Sequence, residues 1–174
     1  VEAGRFVVHG GHDRGRIPAH RIGIEIEAAL AFGTGHHGTT RGCLLALDAI
    51  AKRATPRRIL DIGTGSGVLA VAERKRILIN NIYGVDIDAQ AVTAARENAR
   101  HNHAARFVET IHACGLNARR FRERALFDLI FANILLAPLQ RLAYPAARLI
   151  APGGYLILSG LLPAHAAAAM SAYR

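Results

Sequence analysis

An α/β fold with a mostly parallel sheet is predicted by three observations. Short β-rich runs alternate with helical stretches along most of the 174 residues, the pattern that builds βαβ units with helices on both faces of a sheet. A glycine-rich turn, DIGTGSG at 61–67, joins one such run to the helix after it. An aspartate, Asp86, closes the next run 23 residues after Gly63.

Taken in order, residues 22–27 alternate apolar and charged side chains, as a half-exposed strand does. A glycine-rich loop, FGTGHHG, spans 32–38. Beyond it Leu44, Leu47 and Ala51, with Leu45 and Ile50, recur at helical spacing, and Thr39 or Thr40 is the expected cap. Residues 58–62 read as a buried strand, followed by the glycine turn and a helix from about residue 67. Residues 82–86 form the second strand. Asp88 then caps a helix in which Ala91, Ala95 and Ala99 line one face. Residues 106–109 are a short third strand and 126–132 a fourth. The clearest helical pattern follows: Leu135, Leu139, Leu142, Ala146 and Leu149 step by four, three, four and three. Pro138 fits its first turn, and Pro145 should kink or restart it. Pro152-Gly153-Gly154 is expected to stop the helix and turn into a fifth strand, Tyr155–Ser159.

Composition narrows the class of protein. Apolar residues make up 51% and charged residues 20%, the ordinary globular range, which excludes a disordered chain. Lys and Arg number 22 against 13 Asp and Glu, a net charge of +9 with nine His besides. That excess favours acidic partners such as RNA, but it speaks to association rather than to fold. The two cysteines, Cys43 and Cys114, lie far apart and outside any CxxC pattern, which points to a reducing, cytoplasmic compartment. No stretch resembles a signal peptide. The apolar tail from Tyr155 to Tyr173 is interrupted by Ser159, Gly160, Pro163 and His165, which argues against a membrane span. Val1 opens the chain and Met170 is its only methionine, so a piece of a longer protein is expected.

The glycine turn carries the first chemistry. Gly63, Gly65 and Gly67 allow a sharp turn and a close ligand approach where a Cβ would clash. The helix amides behind them suit a carboxylate or phosphate. Asp86 stands where a carboxylate reaches both ribose hydroxyls of a nucleoside. GxGxG is not the GxGxxG spacing of nicotinamide-binding folds. With Asp61 two residues before the first glycine, it better suits S-adenosylmethionine, whose amino-acid end carries an amine and a carboxylate. A dinucleotide remains the other reading of this segment. A bare strand–helix turn would leave the agreement of glycines, acid and spacing without a reason.

Further along, LAFGTGHHGTT at 30–40, LDIGTGSGVLA at 60–70, GVDIDAQAV at 84–92, FDLIFANILLAPL at 127–139 and the LSGLL ending at Leu162 stand in a fixed order. Together they resemble the ribosomal protein L-eleven methyltransferases (the PrmA family), from about Ile22 to Leu162. The resemblance implies a class I S-adenosylmethionine-dependent, Rossmann-like fold with S-adenosyl-L-methionine as cofactor. It places cofactor contacts on Thr40, Gly63, Asp86 and Asn133, with Gly65 in the same turn. Thr40 offers a hydroxyl at a helix start, and Asn133 follows the fourth strand at the carboxyl edge where such sheets bind ligands. The Asn133 amide oxygen can accept from an incoming amine and its NH2 can donate to the cofactor, which makes Asn133 the expected catalytic residue. Residues 134–136, Ile-Leu-Leu, stand where methyltransferases of planar amide or base nitrogens carry Pro-Pro-aromatic. Without a stacking ring, an aliphatic amine is the better substrate. That agrees with the family, which trimethylates lysine side chains and the N-terminal α-amine of a large-subunit ribosomal protein.

The remaining candidates have plainer readings. His36 and His37 lack partners at ligand spacing, so no metal is expected. Phe32 packs on the cofactor or in the core, and Cys43 is expected in the core. The runs Arg74-Lys75-Arg76 and Arg119, Arg120, Arg122, Arg124 read as solvated faces, and RNA contact is not required. Residues 112–117 are placed at the adenine.

Against the family pattern, residues 1–21 are expected to be a linker or the remnant of an N-terminal region, and 22–174 a C-terminally truncated catalytic domain. The family fold orders seven strands 3-2-1-4-5-7-6, and the last two, an antiparallel hairpin, are expected to be missing. Residues 155–159 would then form an exposed apolar edge open to self-association. The functional expectation is a protein amine methyltransferase. Its alternatives are an RNA methyltransferase and a non-catalytic nucleotide- or RNA-binding fragment.

Overall fold

Residues 59–62, Ile-Leu-Asp-Ile, are buried at every position, as a strand covered on both faces must be. In the computed structural model, which describes residues 1–27 and 37–174, they form β4 (Ile59–Ile62) at the centre of a five-stranded parallel sheet. The chain runs β1 (Glu2–Ala3), β2 (Phe6–His9), β3 (Ile22–Glu25), α1 (His37–Ile50), β4, α2 (Val68–Ile77), β5 (Ile82–Asp86), α3 (Ala89–His101) and β6 (Val108–His112). It continues through α4 (Arg119–Arg124), β7 (Phe127–Asn133), α5 (Leu136–Arg141), α6 (Ala143–Ala147), β8 (Ile150–Ser159) and α7 (Ala166–Ala172). The sheet order is β6-β5-β4-β7-β8, and every pair in it is parallel.

Strand side chains alternate between two cores. Ile59, Leu129 and Phe131 join Leu44, Leu47, Leu69 and Val71 on the face covered by α1, α2 and α3. Leu60, Ile62, Ile130 and Ala132 join Phe121, Phe127, Leu139 and Leu149 on the other face. The result is three layers with helices outside, as the alternation of elements predicts.

Several boundaries shift for identifiable reasons. α1 begins at His37, so Thr39 and Thr40 lie inside its first turn rather than capping it. The third strand moves from 106–109 to Val108–His112, because residues 104–107 close a turn through Phe107 N to Ala104 O. On α3 the buried face is carried by Val92, Ala95 and Ala99, with Ala91 only half-buried. The helix over Leu135–Leu149 is broken at Leu142, since the ring of Pro145 crowds the carbonyl of Arg141 four residues back. Leu135 falls outside it and is 66% exposed. Pro152-Gly153-Gly154 does not precede the fifth strand but lies inside β8, as an irregularity where the register against β7 shifts between Phe127 and Leu129. β8 is the end strand of the described sheet, with Tyr155 exposed and Leu156, Ile157 and Leu158 half-buried.

Residues 2–9 and 22–25 form a second, three-stranded sheet in the order β1-β2-β3. Ala3, Phe6 and Ile24 enter the α1–α3 core with essentially no exposure, so the segment before Ile22 packs on the domain. The run 74–76 is engaged internally as well. Arg74 lies 3.8 Å over the Phe107 ring, Lys75 Nζ donates to Gly23 O at 2.5 Å, and Arg76 pairs with Asp48 at 2.7 Å. Among the described residues no helix is long and apolar enough to cross a membrane.

Candidate active site

Loops from β4 and β7 leave the sheet at its C-terminal edge, between neighbours whose chain order reverses, and an open α/β sheet binds ligands there. On the β4 side, Asp61 points into the face covered by α1 and α2 and is 1% exposed. Thr64 Oγ1 donates to its Oδ2 at 2.7 Å, while Oδ1 has no partner among the described residues. Loss of water, aided by the charge of Asp86, pushes the Asp61 carboxyl up to about 6, only partly opposed by the Thr64 bond and the Ala70 backbone amide. Glu73 of α2 is fully buried, and neither of its carboxyl oxygens has a partner among the described residues. Burial first, and then the charge of Asp61, hold it well above the usual carboxylate range. Cys43 of α1 is buried nearby, and burial raises its thiol to about 11 against a hydrogen bond with Ser159.

The glycine turn is pinned to β5. Gly63 N and Thr64 N both donate to Val85 O, at 2.8 and 3.0 Å. Gly65 N donates to Asp86 Oδ2 at 2.9 Å, and Asp88 N donates to Oδ1 at 3.0 Å. Each oxygen keeps a further lone pair, so the Asp86 carboxylate is held in place and still able to accept from a pair of hydroxyls. Gly63 has φ 70°, a conformation that side chains disfavour, and a Cβ there would overlap Cγ2 of Ile134. Asp88 caps α3 as its sequence position predicts, accepting from Gln90 N at 2.8 Å.

On the β7 side, Asn133 ends its strand in register with Ser159 of β8. Ser159 Oγ donates to Thr39 O at 3.4 Å. That contact ties the first turn of α1, which contains Thr40, to the strand beside Asn133. Thr40 and Asn133 are both half-buried.

A cavity of about 660 Å³ opens next to the turn, large enough for a nucleoside-sized ligand. Gly63 and Asp86 line it, together with Ile87, Ile134 and the segment from Ala113 to Leu116. Thr40, Gly65 and Asn133 are not among its lining residues, although Gly65 and Asn133 adjoin it through Asp86 and Ile134. Pro138 and Arg141 of α5, with Leu142 just after it, also line it. Helical periodicity hides this role, since Leu142 and its neighbours read simply as a core stripe. Cys114 likewise carries no signal beyond following the third strand. Most of the FGTGHHG loop, with Phe32 and His36, lies outside the described residues; His37 opens α1.

These residues fit S-adenosylmethionine. The Asp86 carboxylate matches the ribose, and Ile87, 67% exposed, offers an apolar surface for a base. Asp61, buried behind the turn and outside the cavity lining, is the acidic group nearest in sequence to the glycines that an ammonium would meet.

Strand order, glycine turn and the acid at the end of the adjoining strand are those of a nucleoside-binding α/β domain, an architecture that class I methyltransferases share. The sequence profile described as "Ribosomal protein L11 methyltransferase (PrmA)" matches residues 1–174, and the chain belongs to that family. Proteins named Ribosomal protein L11 methyltransferase from Rhodopseudomonas palustris (strain BisB5) and Bradyrhizobium diazoefficiens are each 54% identical over all 174 residues. The chain spans 59% of the length of those two relatives. The crystal structure of a ribosomal protein L11 methylase from Lactobacillus delbrueckii subsp. bulgaricus superposes with a TM-score of 0.82 at 26% identity. That match covers 97% of this chain and 82% of that one.

Proposed function

We propose that this chain is the catalytic domain of an S-adenosylmethionine-dependent methyltransferase acting on lysine and N-terminal amines of a large-subunit ribosomal protein. The observation that carries the reading is the cavity flanked by Gly63 and Asp86 on one side and the Asn133–Ile134 turn on the other, in a chain of this family. The names of the 54%-identical relatives, ribosomal protein L11 methyltransferases, support a ribosomal protein as the substrate.

S-adenosylmethionine, when bound, supplies an electrophilic methyl group on a sulfonium. Asp86 accepts the two ribose hydroxyls, Gly63 and Gly65 give the backbone room for the ligand, and Asp61 and Thr40 take the amino-acid end. Asn133 orients the acceptor: its Oδ1 accepts from the amine and its Nδ2 donates toward the cofactor. A lysine amine has an ordinary pKa of about 10.4 and must be neutral to attack. Desolvation at the aliphatic wall of Ile134, beside a cation, lowers that pKa without a dedicated base. Holding the acceptor amine in place, as Asn133 would, supplies much of the acceleration once the cofactor is bound.

Calorimetry with S-adenosylmethionine, S-adenosylhomocysteine and NAD tests the first half of this reading. The wild type is expected to bind the first two, and Asp86→Ala to bind at least ~100-fold more weakly, since it loses two charge-assisted hydrogen bonds. Equal binding by the variant, or preference for NAD, would sink the cofactor assignment. Radiolabelled methyl transfer to ribosomal protein rather than RNA decides the substrate; label in RNA, or binding without transfer, gives the two alternatives.

A further inference from the structure

Three loops meet beyond the ends of β4, β7 and β8, and they meet at Ile134. Its side chain sits on Gly63, where any Cβ would overlap Cγ2. Its backbone is gripped from the other side: a Cβ on Gly160 would stand 2.5 Å from Ile134 O, 2.8 Å from its N and 2.9 Å from its carbonyl carbon. Gly160 has φ 78°, so the chain turns there in a conformation that keeps this approach open. Asn133 is therefore tied to the end of β8 twice: it is in register with Ser159, and the peptide that follows it is packed against Gly160. Ile134 also lines the cavity, so a ligand there meets the same side chain that rests on Gly63. β-branching leaves that side chain few rotamers in which to yield.

We infer that Ile134 is a positioning residue for methyl transfer. Seated on Gly63 and held by Gly160, it sets where the Asn133 amide stands against the cavity. This rests on the site being the methyl-transfer centre proposed above. Geometry is the reason such a contact matters, because a misplacement of about 1 Å can lower a rate ~100-fold.

The test uses the 174-residue chain with two readouts. Calorimetry with S-adenosylhomocysteine measures the cavity, and methyl transfer from radiolabelled S-adenosylmethionine to the ribosomal protein measures the geometry. Ile134→Ala is expected to lower kcat at least ~10-fold, with KM for the acceptor and cofactor affinity each within about threefold. Ile134→Val keeps Cγ2 and should stay within about threefold of wild type on every measure. Gly63→Ala should weaken S-adenosylhomocysteine at least ~10-fold. Adding Ile134→Ala to Gly63→Ala should restore part of that loss, at least about threefold, because the overlapping methyl is gone. The calorimetric pair needs no acceptor, and thermal unfolding of each variant shows that it is folded. Wild-type kcat in Ile134→Ala, an equal loss in Ile134→Val, or a double variant no better than Gly63→Ala overturns the inference alone. A folded wild-type chain that binds no S-adenosylhomocysteine overturns the functional reading, and the inference with it.

Discussion

On the α1–α3 face of the sheet, two groups of buried polar side chains lie a short distance apart and are treated in opposite ways. Asn102, the residue that caps the end of α3, accepts from Glu25 N at 2.9 Å and donates to Glu25 O at 2.6 Å and Asn98 O at 2.8 Å. One turn earlier, Asn98 accepts from Glu27 N at 3.1 Å and donates to Ser66 O at 2.9 Å. Glu25 is itself held by Arg14 through two bonds of 2.6 and 2.7 Å, which keep its carboxyl below the usual carboxylate range. Beneath the glycine turn, Asp61 and Glu73 are as deeply buried and leave three carboxyl oxygens without partners among the described residues. The first group welds the N-terminal sheet to α3 and to the turn. The second is destabilising as it stands, and the proposed function gives the Asp61 carboxyl a ligand to meet. Buried polarity that is satisfied internally holds the fold together, whereas buried polarity left open lowers its stability.

Substitutions on the two sides should therefore have opposite signs. Asn102→Ala removes three hydrogen bonds and strands the Glu25 amide, so it should lower stability by about 3 kcal/mol in urea denaturation. Asp61→Asn should raise stability by about 2 kcal/mol at pH 7.5 while weakening S-adenosylmethionine binding. The sign of the pH dependence follows from the raised carboxyl. Its stabilising, protonated form is fully present below about 4 and is lost as pH rises through about 6. Wild type should therefore lose up to ~3 kcal/mol relative to the variant across that window, two units at 1.36 kcal/mol each. A flat difference between the two denaturation series would break the comparison. Glu73→Met, which fills similar space without a carboxyl, should stabilise by about 1.5 kcal/mol above pH 7 with little change in cofactor affinity. A stability loss there would mean that the Glu73 carboxyl has a native partner. The smallest effect belongs to Leu78, which ends α2 with φ 61° and 69% of its surface exposed. Leu78→Gly should raise the unfolding free energy by roughly 0.5–1 kcal/mol without touching binding.

What could be read directly from sequence was local. DIGTGSG and Asp86 sit within one βαβ unit, and their spacing alone brings Gly65 N onto the Asp86 carboxylate. β5 runs over Ile82–Asp86 as its residues imply. The parts that escaped depend on partners far along the chain. Phe6 gives no hint in its own segment that it will be fully buried against α1 and α2. Arg74, Lys75 and Arg76 look like a solvated face until Phe107, Gly23 and Asp48 are brought to them. Ile134 reads as a substitute in a motif, and only the fold shows two glycines closing on it.

The position of β4 has a further consequence for a chain made from its N-terminus. β4 finds its first neighbour, β5, about twenty residues downstream, but its second, β7, only about seventy residues on. Until β7 has been synthesised, the most buried strand of the molecule presents one edge of unpaired backbone N–H and C=O groups with nothing beside it. Vectorial synthesis thus passes through an obligatory half-sheet, and the glycine turn is built before the Asn133–Ile134 turn exists to face it.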